Sequence, residues 1–141
     1  MNDFRIKFID EIAIIKVDIL MATHRDAKPL WDELESKLIF HRKKIIIDLS
    51  FCNNVDSTFI GMIIKILRKV NEKNGQLILV FPKRDIIKIF SMTGVDKLIT
   101  CYNTLQEALD CFGYKSAIKI LKFERIYSTN WFVNATRDDQ V

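Results

Sequence analysis

The sequence predicts an α/β domain with a mixed, mostly parallel sheet of about five strands and about four helices. Three observations carry that expectation. The runs "IAIIKV", "KIIIDL" and "QLILVF" have the length and the β-branched, aliphatic composition of strands. Segments of helical period separate them, the alternation expected of strands joined by right-handed crossovers. Stop signals, Asn74-Gly75 and Gly94, stand where two of the helical patterns fade.

In chain order, Phe4 to Phe8 alternates Phe, Ile and Phe with Arg and Lys, a half-buried strand. It should pair with Ile12 to Val17 through the "IDE" turn. From Arg25 to Leu38 the period changes: Leu30, Trp31, Leu34 and Leu38 recur at helical spacing. Pro29 is tolerated if it lies in the first turn, where its missing N–H costs little; Asp26 and Thr23 compete as the cap. Lys44 to Leu49 reads as a central strand and Thr58 to Glu72 as a helix, with Phe59, Ile60, Ile63, Leu67 and Val70 on one arc. Asn74-Gly75 ends that helix, so a left-handed cap is expected rather than a hairpin. Gln76 to Phe81 is a buried strand. Lys83 to Met92 is a short helix with Ile86, Ile87 and Phe90 inward. Lys97 to Thr100 is a short strand, and Thr104 opens the last helix with Glu107 completing a capping box.

Two domain-level segments follow: residues 1–112 form the folded unit, and 113–141 an appendage. Within the appendage "SAIKILKFERI" suits either strand or helix, and Trp131 and Phe132 read as packed on the domain. Asn134-Ala135-Thr136 matches a glycosylation sequon, without meaning in a cytosolic chain.

Composition narrows the function. A chain of 141 residues, 49% hydrophobic and 28% charged, is long enough for one real core and is not disordered. "MNDFRIKF" lacks a secretory pattern, and no apolar run approaches the ~20 residues of a membrane span. The expectation is a cytoplasmic protein without membrane insertion. Cys52, Cys101 and Cys111 form no C-x-x-C pair and read as reduced, mostly buried thiols. The formal charge is +4, but the basic residues are scattered apart from "HRKK" at His41 to Lys44. That cluster reads as a solvated loop rather than a nucleic-acid surface. His24 and His41 have no metal-ligand spacing, so neither metal nor cofactor is assigned. No Cys/His pair, carboxylate dyad or Gly-rich phosphate loop stands out, which argues against an enzyme and assigns no catalytic residue.

The informative stretch is "SFCNNVDST", between the strand at Lys44 to Leu49 and the helix at Thr58 to Glu72. Asp56, Ser57 and Thr58 are all good N-caps, yet a helix needs one. Ser57 and Gly61 lie four apart on one helix face, which Lys65 and Arg68 continue. A helical Gly costs ~1 kcal/mol against Ala, so Gly61 either leaves room beside Ser57 or packs closely against another backbone. A hydroxyl at a helix N-terminus suits phosphorylation, because free N–H groups and the positive dipole end accept the ~−1.5 to −2 charge of a phosphate.

"IIIDLSFCNNVDSTFIG", continued through "NEKNGQLILVFPKRDIIKIFSMTGVDKLITCYNTLQEAL", resembles the STAS-domain proteins of the anti-sigma factor antagonist type. The resemblance covers roughly Phe4 to Phe112. It implies a single STAS-like domain that binds an anti-sigma factor serine/threonine kinase and is switched off by phosphorylation, with a phosphoserine phosphatase restoring binding. It implies Ser57 as the phosphoacceptor, Asp56 as the acidic residue before it, Thr58 as a secondary acceptor and Gly61 as the second glycine of the helix start. The first glycine of that pair is replaced by Phe59, which falls in the apolar arc and reads as core; presentation to a partner is the other reading. Met62, at the edge of the arc, is open between core and partner surface. The family's Gly-Glu-Leu-Asp type segment is replaced by "ILMA" at Ile19 to Ala22. STAS-like domains also serve as unphosphorylated adaptor subunits of membrane transport or other assemblies, and "DST" would then be a cap alone. Oligomeric state is left open.

Overall fold

A computed structural model describes residues 3–81 and 84–113. The strands β1 (Phe4–Ile9) and β2 (Ile12–Val17) form an antiparallel hairpin in which Ile9 faces Ile12. The turn places Asp10 at φ 52°, a conformation that Asp tolerates better than most residues. Then come β3 (Met21–Ala22), α1 (His24–Ser36), β4 (Lys44–Asp48), β5 (Asn54–Val55), α2 (Ser57–Glu72), β6 (Gln76–Val80), α3 (Arg84–Thr93), β7 (Thr100–Tyr102) and α4 (Leu105–Cys111). The main sheet has the order β1-β2-β4-β6-β7; β2, β4, β6 and β7 run parallel, and β1 is the antiparallel edge. The expected mixed sheet of five strands, with four helices among the described residues, is therefore what forms.

Each central strand is apolar on both faces because helices cover both. Ile15, Ile47 and Leu79 turn toward Leu30 and Leu34 of α1, Phe59 and Ile63 of α2, and Phe90 of α3. Their neighbours Ile14, Ile46 and Ile78 turn toward Leu105, Ala108 and Leu109 of α4. One buried carboxylate interrupts this pattern. Asp48, 2% exposed at the end of β4, accepts from the Ser50 N–H at 2.9 Å and lies 3.5 Å from Lys16 Nζ. Burying a charge without such partners would be costly.

Several expectations need correcting. Helix α1 stops at Ser36, and Leu38 is left-handed at φ 57° and 62% exposed. Ile39 and Phe40, in the short 3-10 turn that follows, fill the core in its place. Thr23 caps α1, with its side chain accepting from the Arg25 N–H, while the Asp26 carboxylate accepts from the Thr23 N–H at 2.8 Å. The two competing residues thus form one capping box. Pro29 falls in the second turn rather than the first, on an exposed face. The left-handed cap expected after α2 does form, at Asn74, with φ 59°. Gly75 is needed for a different reason: a Cβ there would come within 2.9 Å of Val70 Cγ1 and 3.1 Å of the Lys43 carbonyl oxygen. The last strand begins at Thr100, where the expected one ended, because Val95–Lys97 form a 3-10 turn after Gly94 at φ 79°.

The thiols divide: Cys52 is buried, Cys101 half-buried and Cys111 exposed. The "HRKK" cluster is engaged within the chain. The Arg42 guanidinium lies 4.1 Å over the Phe8 ring, Lys43 Nζ donates to the Lys73 carbonyl, and Lys44 pairs with Glu11 at 2.7 Å. Thr104 caps α4, accepting from the Glu107 N–H at 3.1 Å. The side chains of Ile86 and Ile87, and everything expected of residues 114–141, including Trp131, Phe132 and Asn134, lie outside what is described. Among the described residues, no helix is long and apolar enough to cross a membrane.

Candidate functional site

Two strand–helix connections leave the carboxyl end of the sheet side by side. After β2 the chain runs through β3 into α1, and after β4 it runs through β5 into α2. The short strands β3 and β5 pair in parallel, Met21 with Asn54 and Ala22 with Val55. The Leu20 carbonyl accepts from the Asn53 N–H at 2.7 Å, and the Ala22 carbonyl accepts from the Asp56 N–H at 2.9 Å. This small second sheet was not foreseen from the sequence. It brings the N-termini of α1 and α2 together.

Asp56 joins them. As N-cap of α2 it accepts from the Phe59 N–H at 2.8 Å through Oδ1, and through Oδ2 it accepts from the His24 N–H, also at 2.8 Å. One carboxylate thus serves the first turns of two helices. His24 Nδ1 also lies 3.8 Å from Asp56 Oδ2. Desolvation pushes the Asp56 carboxyl upward. The Phe59 and His24 N–H bonds, the His24 charge and the Thr58 N–H outweigh it and hold the group below its ordinary value.

With Asp56 as the cap, Ser57 and Thr58 become the first and second residues of α2, and both are exposed. Their side chains make no hydrogen bond among the described residues. Of the three residues able to cap, one does so and two hydroxyls are left free in a first turn. Gly61 is half-buried on the same face, and a Cβ there would meet nothing within 4 Å. Among the described residues no backbone crowds Gly61, so close packing against a neighbouring backbone is not what keeps it, and the space on the Ser57 face is open. Phe59 is 0% exposed and sits in the core between helix and sheet, so its ring is not offered to a partner. Met62 is half-buried and packs against the same core from its edge.

Sequence reasoning gives His24 no role and notes Leu20 and Met21 only within "ILMA", as a departure from the family pattern. His24 was read as a lone histidine, yet its backbone N–H anchors Asp56. Leu20 is 51% and Met21 60% exposed. An open groove of about 560 Å³ beside them is lined by Met21, His24, Arg25 and Asp56, among others. A signal was present: "MATH" and "NVDS" each place a hydroxyl or carboxylate cap after a short extended segment, the pattern of twin strand–helix connections. Among the described residues no three His, Cys, Asp or Glu side chains converge as a metal would require.

Comparison with known proteins bears on the fold and the family. A Thermotoga maritima protein assigned as an anti-sigma factor antagonist is 28% identical over 110 residues, spanning 76% of this chain and 95% of that protein. A crystal structure of a Thermotoga maritima protein with the same assignment superposes with a TM-score of 0.70 at 25% identity, covering 76% of this chain and 92% of the other. The Bacillus cell fate determinant SpoIIAA in its phosphorylated form shares the fold, with a TM-score of 0.60 at 19% identity over 77% of this chain and 98% of its own. Residues 3–108 match the family model for the STAS domain, and the chain belongs to the STAS-domain family.

Proposed function

We propose that this chain is an anti-sigma factor antagonist that binds a serine kinase of the anti-sigma type and is released when that kinase phosphorylates Ser57. One observation carries the reading. Asp56 alone caps α2, leaving the Ser57 hydroxyl exposed and without a structural task at the helix N-terminus. The names of the Thermotoga relatives support the same class.

In the transfer, Ser57 Oγ attacks the γ-phosphorus of ATP. The new Oγ–P bond forms as the bond to the β,γ-bridging oxygen breaks, ADP leaves, and the hydroxyl proton passes to a base on the kinase. The product carries about −1.5 to −2 charges at neutral pH. Helix α2 tolerates that charge, since its N-terminal dipole end favours anions. Asp56 adds a like charge beside it, but its two N–H partners hold that carboxylate in place. The domain therefore keeps its fold, and the new charge acts on the partner's surface. A phosphatase that delivers water to the same phosphorus would return the hydroxyl and restore binding. Thr58, one position on and equally exposed, is the secondary acceptor.

The test is mass spectrometry after incubation with purified anti-sigma-type serine kinases of the source organism and ATP. Ser57→Ala should lose most of the phosphate, and Ser57→Asp should bind the kinase more weakly than the wild type. Normal phosphorylation of Ser57→Ala would refute the assignment.

A further inference from the structure

We infer that Leu20 and Met21 are the apolar contact by which the kinase acting on Ser57 recognises this chain, an inference that rests on the reading of Ser57 above. The first observation is exposure. Leu20 is 51% and Met21 60% exposed, although Ala22, the next residue, is fully buried and Val17, the last residue of β2, is too. The second is rigidity. Met21 is paired with Asn54, the Leu20 carbonyl accepts from both Asn53 and Asn54, and His24 is tied to Asp56 at 2.8 Å. The backbone that carries these side chains is therefore held in place, so an incoming surface has no main chain to order on meeting them.

Distance decides the occupant. Paired strands lie about 4.8 Å apart and rise about 3.3 Å per residue, so Met21 sits roughly 11 Å from Ser57, which is three residues beyond Asn54. A kinase that places ATP in line with Ser57 Oγ must lay its surface over that radius, and Met21 then leaves water. The groove alongside adds His24 and Arg25 together with Asp26 and Asp56, so the footprint combines apolar side chains with a polar rim of mixed charge. Central apolar anchors with a polar rim are the arrangement that concentrates binding energy. Specificity then resides in Leu20 and in Met21 of β3, apart from the phosphoacceptor's own helix.

The experiment measures steady-state phosphorylation of Ser57 by the purified kinase that modifies the wild-type chain, comparing wild type, Leu20→Gln/Met21→Gln and Met92→Gln. Met92 is 78% exposed at the far end of α3 and serves as the surface control. Glutamine keeps the approximate size of both side chains, and thermal unfolding verifies that the double variant folds. Met21→Lys serves as a second variant should the double variant fold poorly. The double variant should raise KM about ten-fold or more, leave kcat near wild type and keep Ser57 as the modified residue. Met92→Gln should leave KM unchanged. An unchanged KM in the folded double variant overturns this inference while Ser57 stays the acceptor. Absence of phosphate on wild-type Ser57 instead overturns the functional reading and this inference with it. If the wild-type chain is a dimer that the double variant dissolves, the face belongs to a second copy, and the inference is likewise overturned.

Discussion

Gly61→Ala separates what the fold needs from what the site needs. Gly61 is the fifth residue of α2, half-buried, with no positive φ and with open space, among the described residues, where its Cβ would be. Alanine exceeds glycine in helix propensity by about 0.8–1.0 kcal/mol, partly through the entropy of the unfolded chain. With no clash to subtract, the variant should be more stable by about that amount. For a chain of this size the melting temperature should rise roughly 3–5 °C, and the urea midpoint by about 0.3–0.6 M at unchanged m. Both are read by circular dichroism. The same protein then goes to the kinase assay. A methyl group on the Ser57 face should weaken kinase binding several-fold if Gly61 lets the partner approach the helix closely. A destabilised variant would refute the structural reasoning, because the space beside Gly61 would then be occupied. A stabilised variant with unchanged kinase binding would refute the functional reason for the glycine.

Asp56→Ala should cost about 1–2 kcal/mol, since it removes the cap of α2 and the partner of the His24 N–H together. The Asp56 carboxyl is held below its ordinary value when folded, so its stabilisation is complete above about pH 3.9 and fades as pH falls through the lowered folded value. Urea midpoints of variant and wild type should therefore converge in acid; a gap independent of pH would sink this account. Asp18 behaves oppositely. Burial pushes its carboxyl up, against the pull of Arg5 at 2.7 Å and of Lys16, so the ionised form costs stability near neutrality and that cost is relieved as pH falls through the raised value. Asp18→Asn should accordingly compare best with wild type at neutral pH and lose ground in acid, and the reverse trend in denaturant midpoints would contradict it. Phe59→Ala empties a fully buried site and should cost about 3–5 kcal/mol, read as a drop in melting temperature; a loss below 1 kcal/mol would mean the ring is not core.

The segment around Ser57 was only partly legible. Three capping residues in a row signalled a surplus, and the structure assigns the cap to Asp56, with Ser57 and Thr58 left exposed. Phe59 reads as core from its place on the apolar arc, and it is core. Gly61 was not legible, because the space around a glycine depends on what packs there and not on its helical position. Leu38 misled for a similar reason: it continues the helical spacing of Leu30 and Leu34, but the chain turns left-handed there and Ile39 and Phe40 take the buried places. Propensity cannot see which of several adjacent apolar residues the neighbouring element will cover.

The sequence by itself determined the class and order of the elements. Strand and helix periods are local properties, and the central strands announce by apolar runs that both faces are covered. It also determined the caps at Thr104 and Gly94, which act over three or four residues. Tertiary structure alone decided that Asp56 serves two helices, because its second partner, His24, lies 32 residues away. It decided that the Lys43 carbonyl joins Val70 in crowding Gly75 and that β3 sits beside β5 with Leu20 and Met21 outward. Each of these depends on which distant backbone groups meet once the sheet has paired, and no local period encodes that.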